Sequence, residues 1–227
     1  MEVKIEHSPG NATARLALSA GETVTAEAGV MIAMSGNINI ETTTHKKGQG
    51  GVLKALKRML SGESFFLNHF TANGGPGEVV VAPTLAGDLM SYELKGETLV
   101  VQSGSFLASE HSVNMDMGWQ GFKSMFSGES MFWLKMSGSG KIVLSSFGAI
   151  YPIEVDGAVI VDTGHIVAFH ESLKFSVKKA GTSLIGSFLG GEGLVTRFEG
   201  KGTVWCQSHN AGNFGSSLTP HLRPRQG

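Results

Sequence analysis

The chain has 227 residues, 41% hydrophobic and 16% charged, with a formal net charge of −1. That is apolar enough for a large core, and too nearly neutral for a protein whose affinity rests on nucleic-acid phosphates. One cysteine excludes an intrachain disulfide and fits a reducing compartment, while 32 glycines against 6 prolines point to tight turns rather than disorder. Residues 1–20 lack a basic start followed by an apolar run, so no signal peptide is expected. No stretch approaches the roughly 20 apolar residues that span a bilayer.

Val3, Ile5 and Arg15 to Leu18 alternate and predict entry strands around the turn Ser8-Pro9-Gly10-Asn11. Thr23 to Glu27 and Val30 to Met34 predict strands hinged at Gly29, and Ile38 and Ile40 fall on one face of the next. Residues 42–51 are polar, basic and Gly-rich, which reads as a loop. In 52–60, Leu53, Leu56, Met59 and Leu60 recur at helical spacing with Lys54, Lys57 and Arg58 off that face, which predicts a short amphipathic helix ended by Gly62. Strand pairs then flank the turns 73–77, 137–140 and 199–202, each expected as a hairpin. Residues 211–227 show little periodicity and are expected to be a flexible tail, with Phe214 and Leu218 as docking points.

The chain repeats itself. Ser61-Gly62-Glu63-Ser64 returns as Ser127-Gly128-Glu129-Ser130 and, more weakly, as Gly190-Gly191-Glu192-Gly193. Upstream, residues 21–41, 96–116 and 156–176 align without a gap, with Gly29, Gly104 and Gly164 coinciding. The units fall at 11–86, 87–147 and 148–210. Such units are too small to bury their own apolar faces and must pack together, which also covers strand edges. The expected fold is therefore a single all-β domain over 1–210. It comprises three tandem units about a pseudo-threefold axis, with a short helix before each SGES-type turn.

Three groups of residues are candidates for function. Glu63, Glu129 and Glu192 occupy equivalent places and would form a carboxylate ring for a cation or ligand, unless they accept backbone N–H bonds as turn residues do. Lys54, Lys57 and Arg58 beside Leu56, Met59 and Leu60 suit an anionic lipid surface. Trp119, Phe122 and Phe126, with Phe65, Phe66, Phe132 and Trp133, add apolar contact there if exposed. The competing assignment is that these side chains pack a core or a subunit interface. Cys206 with His209 makes a nucleophile pair or, more plainly, a buried thiol and a neighbour. His165 and His170 sit five apart on a predicted strand and face opposite ways. There is no His-x-His pair, nucleophile elbow, Walker loop or dinucleotide fingerprint. No enzyme, metal or cofactor is therefore expected.

The GESFF and GESMFW stretches with the repeated glycines resemble the bacterial and mitochondrial family named after yeast "altered inheritance of mitochondria" protein twenty-four, over residues 3–209. The resemblance implies a fold like that of the trp RNA-binding attenuation protein, with three short β-sandwich or double-stranded β-helix units in one chain. It also implies assembly into a homo-oligomer, a trimer being favoured. For mitochondrial members it implies a role in mitochondrial biogenesis and inner-membrane organisation, and the bacterial branch is the better match. The combined expectation is a non-enzymatic oligomeric scaffold, cytoplasmic and peripheral to the inner membrane, that does not bind nucleic acid. The alternative is a small-ligand-binding ring with pockets between the repeats.

Overall fold

The computed structural model describes residues 1–44, 66–116, 132–179 and 194–222. The first unit and its lead-in supply β1 (Glu2–Glu6), β2 (Thr13–Leu18), β3 (Thr23–Glu27), β4 (Met31–Met34), β5 (Ile38–Thr44), β6 (Phe66–Ala72) and β7 (Gly77–Val81). The second supplies β8 (Leu89–Lys95), β9 (Leu99–Gln102), β10 (Phe106–Glu110), β11 (Asn114–Asp116), β12 (Trp133–Ser137) and β13 (Ser139–Ser145). The third supplies β14 (Ile150–Asp162), β15 (Ile166–His170), β16 (Lys174–Lys179) and β17 (Leu194–Gln207), followed by the helix α1 (Ala211–Leu218).

The chain is mostly β, arranged as three antiparallel sheets. The first runs β1-β2-β7-β4, the second β5-β6-β3-β10-β13-β8, and the third β11-β12-β9-β15-β17-β14 with β16 added against β17. The second and third sheets each join strands of two successive units. Ala108, Ser109 and Glu110 of β10 pair with Ala26, Thr25 and Val24 of β3. In the same way Ala168, Phe169 and His170 of β15 pair with Val101, Val100 and Leu99 of β9. A register shift falls at the same place in β4, β10 and β15, between Met31 and Ala33, Phe106 and Ala108, and Ile166 and Ala168. An extra residue there turns the strand locally and fixes which side chains face inward.

The strand pairs expected as hairpins are not hairpins. β6 lies in the second sheet and β7 in the first, while β12 lies in the third and β13 in the second. β17 runs without a break from Leu194 to Gln207. The glycines between these strands carry the chain from one sheet to the next instead of folding it back on itself. The third unit shows how: Gly157 of β14 pairs with Gly200 of β17, at φ 109 and 117. Only glycine takes that conformation freely, so the two strands bend together and keep their register throughout. Ile38 is buried, whereas Ile40, expected on the same face, is exposed.

Alternation decides what is buried. Ala14, Leu16 and Leu18 of β2 point inward, and β9 and β10 are buried almost throughout. Each core takes residues from a neighbouring unit. Leu107, Ala108 and Val143 join the first cluster, Val167, Ala168 and Trp205 the second, and the third gathers around Phe169 and Phe198. This sharing ties the units together through apolar burial, at about 25 cal/mol per Å² removed from water.

Residues 211–218, expected as part of an unstructured tail, form α1. Asn210 caps it, its Oδ1 accepting from the backbone N–H of Gly212 and Asn213. The Phe214 ring lies 5.3 Å from that of Phe147 but stays partly exposed, and Leu218, also expected to dock, is exposed. The two connectors between units also meet. Gly148 N–H donates to Ala86 O (3.0 Å) and Asp88 N–H to Gly148 O (2.9 Å). A Cβ on Gly87 would lie 1.8 Å from Ser146 O, so only glycine permits this approach.

Candidate functional site

Most of the residues singled out from the sequence for ligand, lipid or interface contact lie outside the described residues. These are Glu63, Glu129 and Glu192; Lys54, Leu56, Lys57, Arg58, Met59 and Leu60; and Trp119, Phe122 and Phe126. The helices expected before the SGES-type turns lie outside them too. Of the neighbouring aromatics, Trp133 is a core residue, its ring 5.8 Å from that of Phe169, and Phe132 is half-buried.

The described residues instead form a cavity of about 290 Å³ where the connectors meet. Its wall includes Pro83, Thr84 and Leu85 after β7, Ser145 at the end of β13 with Ser146 and Phe147 beyond it, and Gln207 at the end of β17 with Ala211 at the start of α1. Glu27 and Gln102, the last residues of β3 and β9, face it. The residue after each of them is held by a later segment of the same unit. Ala28 N–H donates to Phe66 O (3.0 Å) and Ser103 N–H to Phe132 O (3.0 Å).

Most polar groups of this wall are held. Ser105 Oγ donates to Gln102 Oε1 (3.1 Å). Gln207 Oε1 accepts from Phe147 N–H (2.9 Å), and its Nε2 donates to Gly164 O (3.0 Å). The Glu27 carboxyl is the exception. Burial pushes its pKa up to about 7, and among the described residues no cation stands beside it to favour the charged form. In the unit alignment Glu27, Gln102 and Asp162 correspond; Asp162 spends Oδ1 on Gly164 N–H (2.8 Å). The signal was present in the sequence as an acidic residue closing an apolar strand, in a place where another unit carries an amide.

A second polar cluster is closed on itself. Thr203 N–H donates to His170 Nδ1 (3.1 Å), Tyr92 Oη lies 3.1 Å from His170 Nε2, and Tyr92 O–H donates to Glu97 Oε1 (2.9 Å). All three bonds coexist when His170 is neutral with its proton on Nε2, and burial lowers the His170 pKa accordingly. Ser35 and Glu110 occupy the equivalent place and likewise accept a backbone N–H, from Glu78 (2.9 Å) and Lys141 (3.2 Å). Satisfying a strand N–H beside the bulge is therefore the task of this position. His165 sits in a 3-10 turn rather than on a strand, with Nδ1 2.8 Å from Gln207 O. Cys206 is buried, and desolvation pushes its thiol up to about 12, leaving little thiolate at neutral pH. His209 instead meets Ser208 Oγ and the Phe147 ring. Among the described residues no three His, Cys, Asp or Glu side chains converge as metal ligands, and no helix is long and apolar enough to cross a membrane.

Together these features give a mostly β chain of three antiparallel sheets with a cavity at its connectors. The chain belongs to the AIM24 family, described as mitochondrial biogenesis AIM24, whose model matches residues 3–209. It is similar to an uncharacterised protein of Streptococcus pyogenes, with 29% identity covering 98% of this chain and 91% of that one. It is also similar to the crystal structure of a Streptococcus pyogenes protein, with 28% identity and a TM-score of 0.80 over 97% of this chain and 99% of that one.

Proposed function

We propose that this protein is a non-enzymatic scaffold that works as a homo-oligomer, a trimer being favoured, at or near a membrane surface. One observation carries the reading. β4 is exposed along its whole length and offers Met31, Ile32 and Met34 to solvent, whereas the corresponding strands β10 and β15 are buried against a neighbouring unit. A soluble monomer has little reason to leave an apolar strand edge bare, and such edges recruit other chains. In this reading the units are three sandwich-like modules about a pseudo-threefold axis, similar to the trp RNA-binding attenuation protein. The matched pairings β3–β10 and β9–β15 support it.

The membrane part rests on the basic, apolar segment 52–60. Light scattering is expected to give an oligomer, and the protein is expected to float with anionic vesicles at low ionic strength and to be released by high salt. A monomer would overturn the scaffold. An oligomer that never floats would remove the membrane surface from the proposal.

The cavity favours a second reading, a small-ligand-binding protein. A half-buried carboxyl with no cationic partner among the described residues suits a ligand that brings a proton or a positive charge. A thermal-shift screen of small amines and metabolites is expected to raise Tm for at least one class, and that rise should vanish in Glu27→Gln. No stabilisation by any class would count against this reading.

A further inference from the structure

We infer that copies of this chain join head to tail by antiparallel pairing of β4 of one copy with the second half of β14 of the next, Met34 opposite Ile160. The inference rests on the scaffold reading and specifies its interface. Two internal junctions serve as the template. At each, the third strand of one unit pairs with the second strand of the unit before it, β10 on β3 and β15 on β9. The first unit's third strand, β4, has β7 as its partner, and the third unit's second strand, residues 158–162 of β14, has β17. Each ends its sheet, and among the described residues nothing pairs with its outer edge. One half of a junction thus stands open at each end of the chain.

Burial supports the match. Phe106 to Ser109 and Ile166 to Phe169 are all buried, whereas their counterparts Met31, Ile32, Ala33 and Met34 are all exposed, Ile32 at 57%. Val24 to Ala26 and Leu99 to Val101 are buried; of their counterparts Val161 is buried and Val159 half-buried, but Ile160 is 61% exposed, the largest value of any strand residue among the exposed large hydrophobics. The sequence supplies core-type residues at both edges, and the isolated chain leaves Met31 to Met34 and Ile160 in water.

The register follows from either template. The pairs Ala108–Ala26, Ser109–Thr25 and Glu110–Val24 translate to Ala33–Val161, Met34–Ile160 and Ser35–Val159. The pairs Ala168–Val101, Phe169–Val100 and His170–Leu99 translate to the same three. The bulge between Met31 and Ala33 already matches those of β10 and β15, so β4 needs no reshaping. Joining would merge the first sheet (β1-β2-β7-β4) with the ribbon β14-β17-β16 of the next copy, giving the same order of strands that the other two sheets have. Other strands also end sheets, β1, β5, β8, β11 and β16 among them, but their counterparts in neighbouring units do not pair with another unit. The contact is heterologous, since β4 and β14 are different surfaces, so repetition yields a ring or an open array rather than a two-fold dimer.

The test mixes two single variants, Met34→Cys and Ile160→Cys, under mild oxidation, with the native Cys206 left in place because it is buried. Directly opposed residues of an antiparallel pair bring their Cα atoms to about 4.5–5.5 Å, within disulfide range. The mixture is expected to give a covalent dimer on a non-reducing gel, and neither variant alone should. Ile160→Lys, at an exposed site that leaves the fold intact by circular dichroism, is expected to cut the scattering mass to that of a monomer. A Met34→Cys protein that crosslinks with itself would overturn the inference in favour of a symmetric β4–β4 contact. An oligomer that neither crosslinks in the mixture nor responds to Ile160→Lys would overturn it while leaving the scaffold reading intact. A parent protein that is monomeric at all concentrations would overturn both.

Discussion

Replacing Phe169 with alanine is expected to destabilise the protein by about 3–5 kcal/mol, the cost of emptying a large, well-packed aromatic site. Phe169 is fully buried on β15, with the rings of Trp133, Phe175 and Phe198 at 5.8, 5.5 and 5.0 Å. Those rings come from β12, β16 and β17, and Phe169 itself pairs with Val100 on β9 across a unit junction. The side chain therefore holds two units together as well as filling one core, and four rigid walls leave little scope for collapse around the gap. Urea denaturation followed by fluorescence reads the effect. A loss below about 1.5 kcal/mol would mean that the neighbouring rings close over the space. With total stability in the usual range of about 5–15 kcal/mol, the variant should be partly unfolded on modest warming.

Glu27→Gln is expected to stabilise the protein by about 1–2 kcal/mol near pH 8 and to change little near pH 4. The Glu27 carboxyl titrates at about 7 in the folded chain against an ordinary 4.5. Between those values the folded state keeps a proton that the unfolded chain has released. Rising pH therefore favours unfolding across that window, and the penalty is complete above the folded value. The full shift corresponds to about 3 kcal/mol, reduced here because the cavity leaves part of the group in contact with water. Glutamine keeps the shape and removes the titration. His170 acts in the opposite sense: its folded pKa is lowered by burial, so its contribution is complete above its unfolded value and is lost as pH falls from there through the folded one. The quantity to measure is thus the difference between variant and parent at each pH, not the parent's profile alone. A difference that stays constant with pH would show that packing, not ionisation, separates them.

The strands were legible wherever local chemistry sufficed. Gly29 divides β3 from β4, Gly62 and its counterparts mark the units, and the inward alternation of β2 is plain in Ala14, Leu16 and Leu18. The sheets were not legible, for a physical reason. A Gly-rich turn such as 137–140 says that the chain bends, but not whether the strand beyond joins its predecessor or crosses to another layer. That choice is settled by which unit supplies the missing apolar face. The cavity was hidden for a related reason. Glu27, Gln102 and Gln207 close three separate strands and meet only because the connectors do. Turn composition had directed attention to Glu63, Glu129 and Glu192, which lie outside the described residues. The helix α1 lacked an apolar stripe of useful length, and its clearest sign was the capping residue Asn210.

The contact of Gly87 with the connector before Gly148 bears on shape as well as packing. A linker held at one tight backbone crossing cannot act as a swivel. The turn from the first unit to the second is therefore locked to the turn from the second to the third by hydrogen bonds of 2.9 and 3.0 Å between the connectors. The units cannot turn independently at these connectors as three beads on a string would, and a single methyl group at Gly87 would have to force the connectors apart.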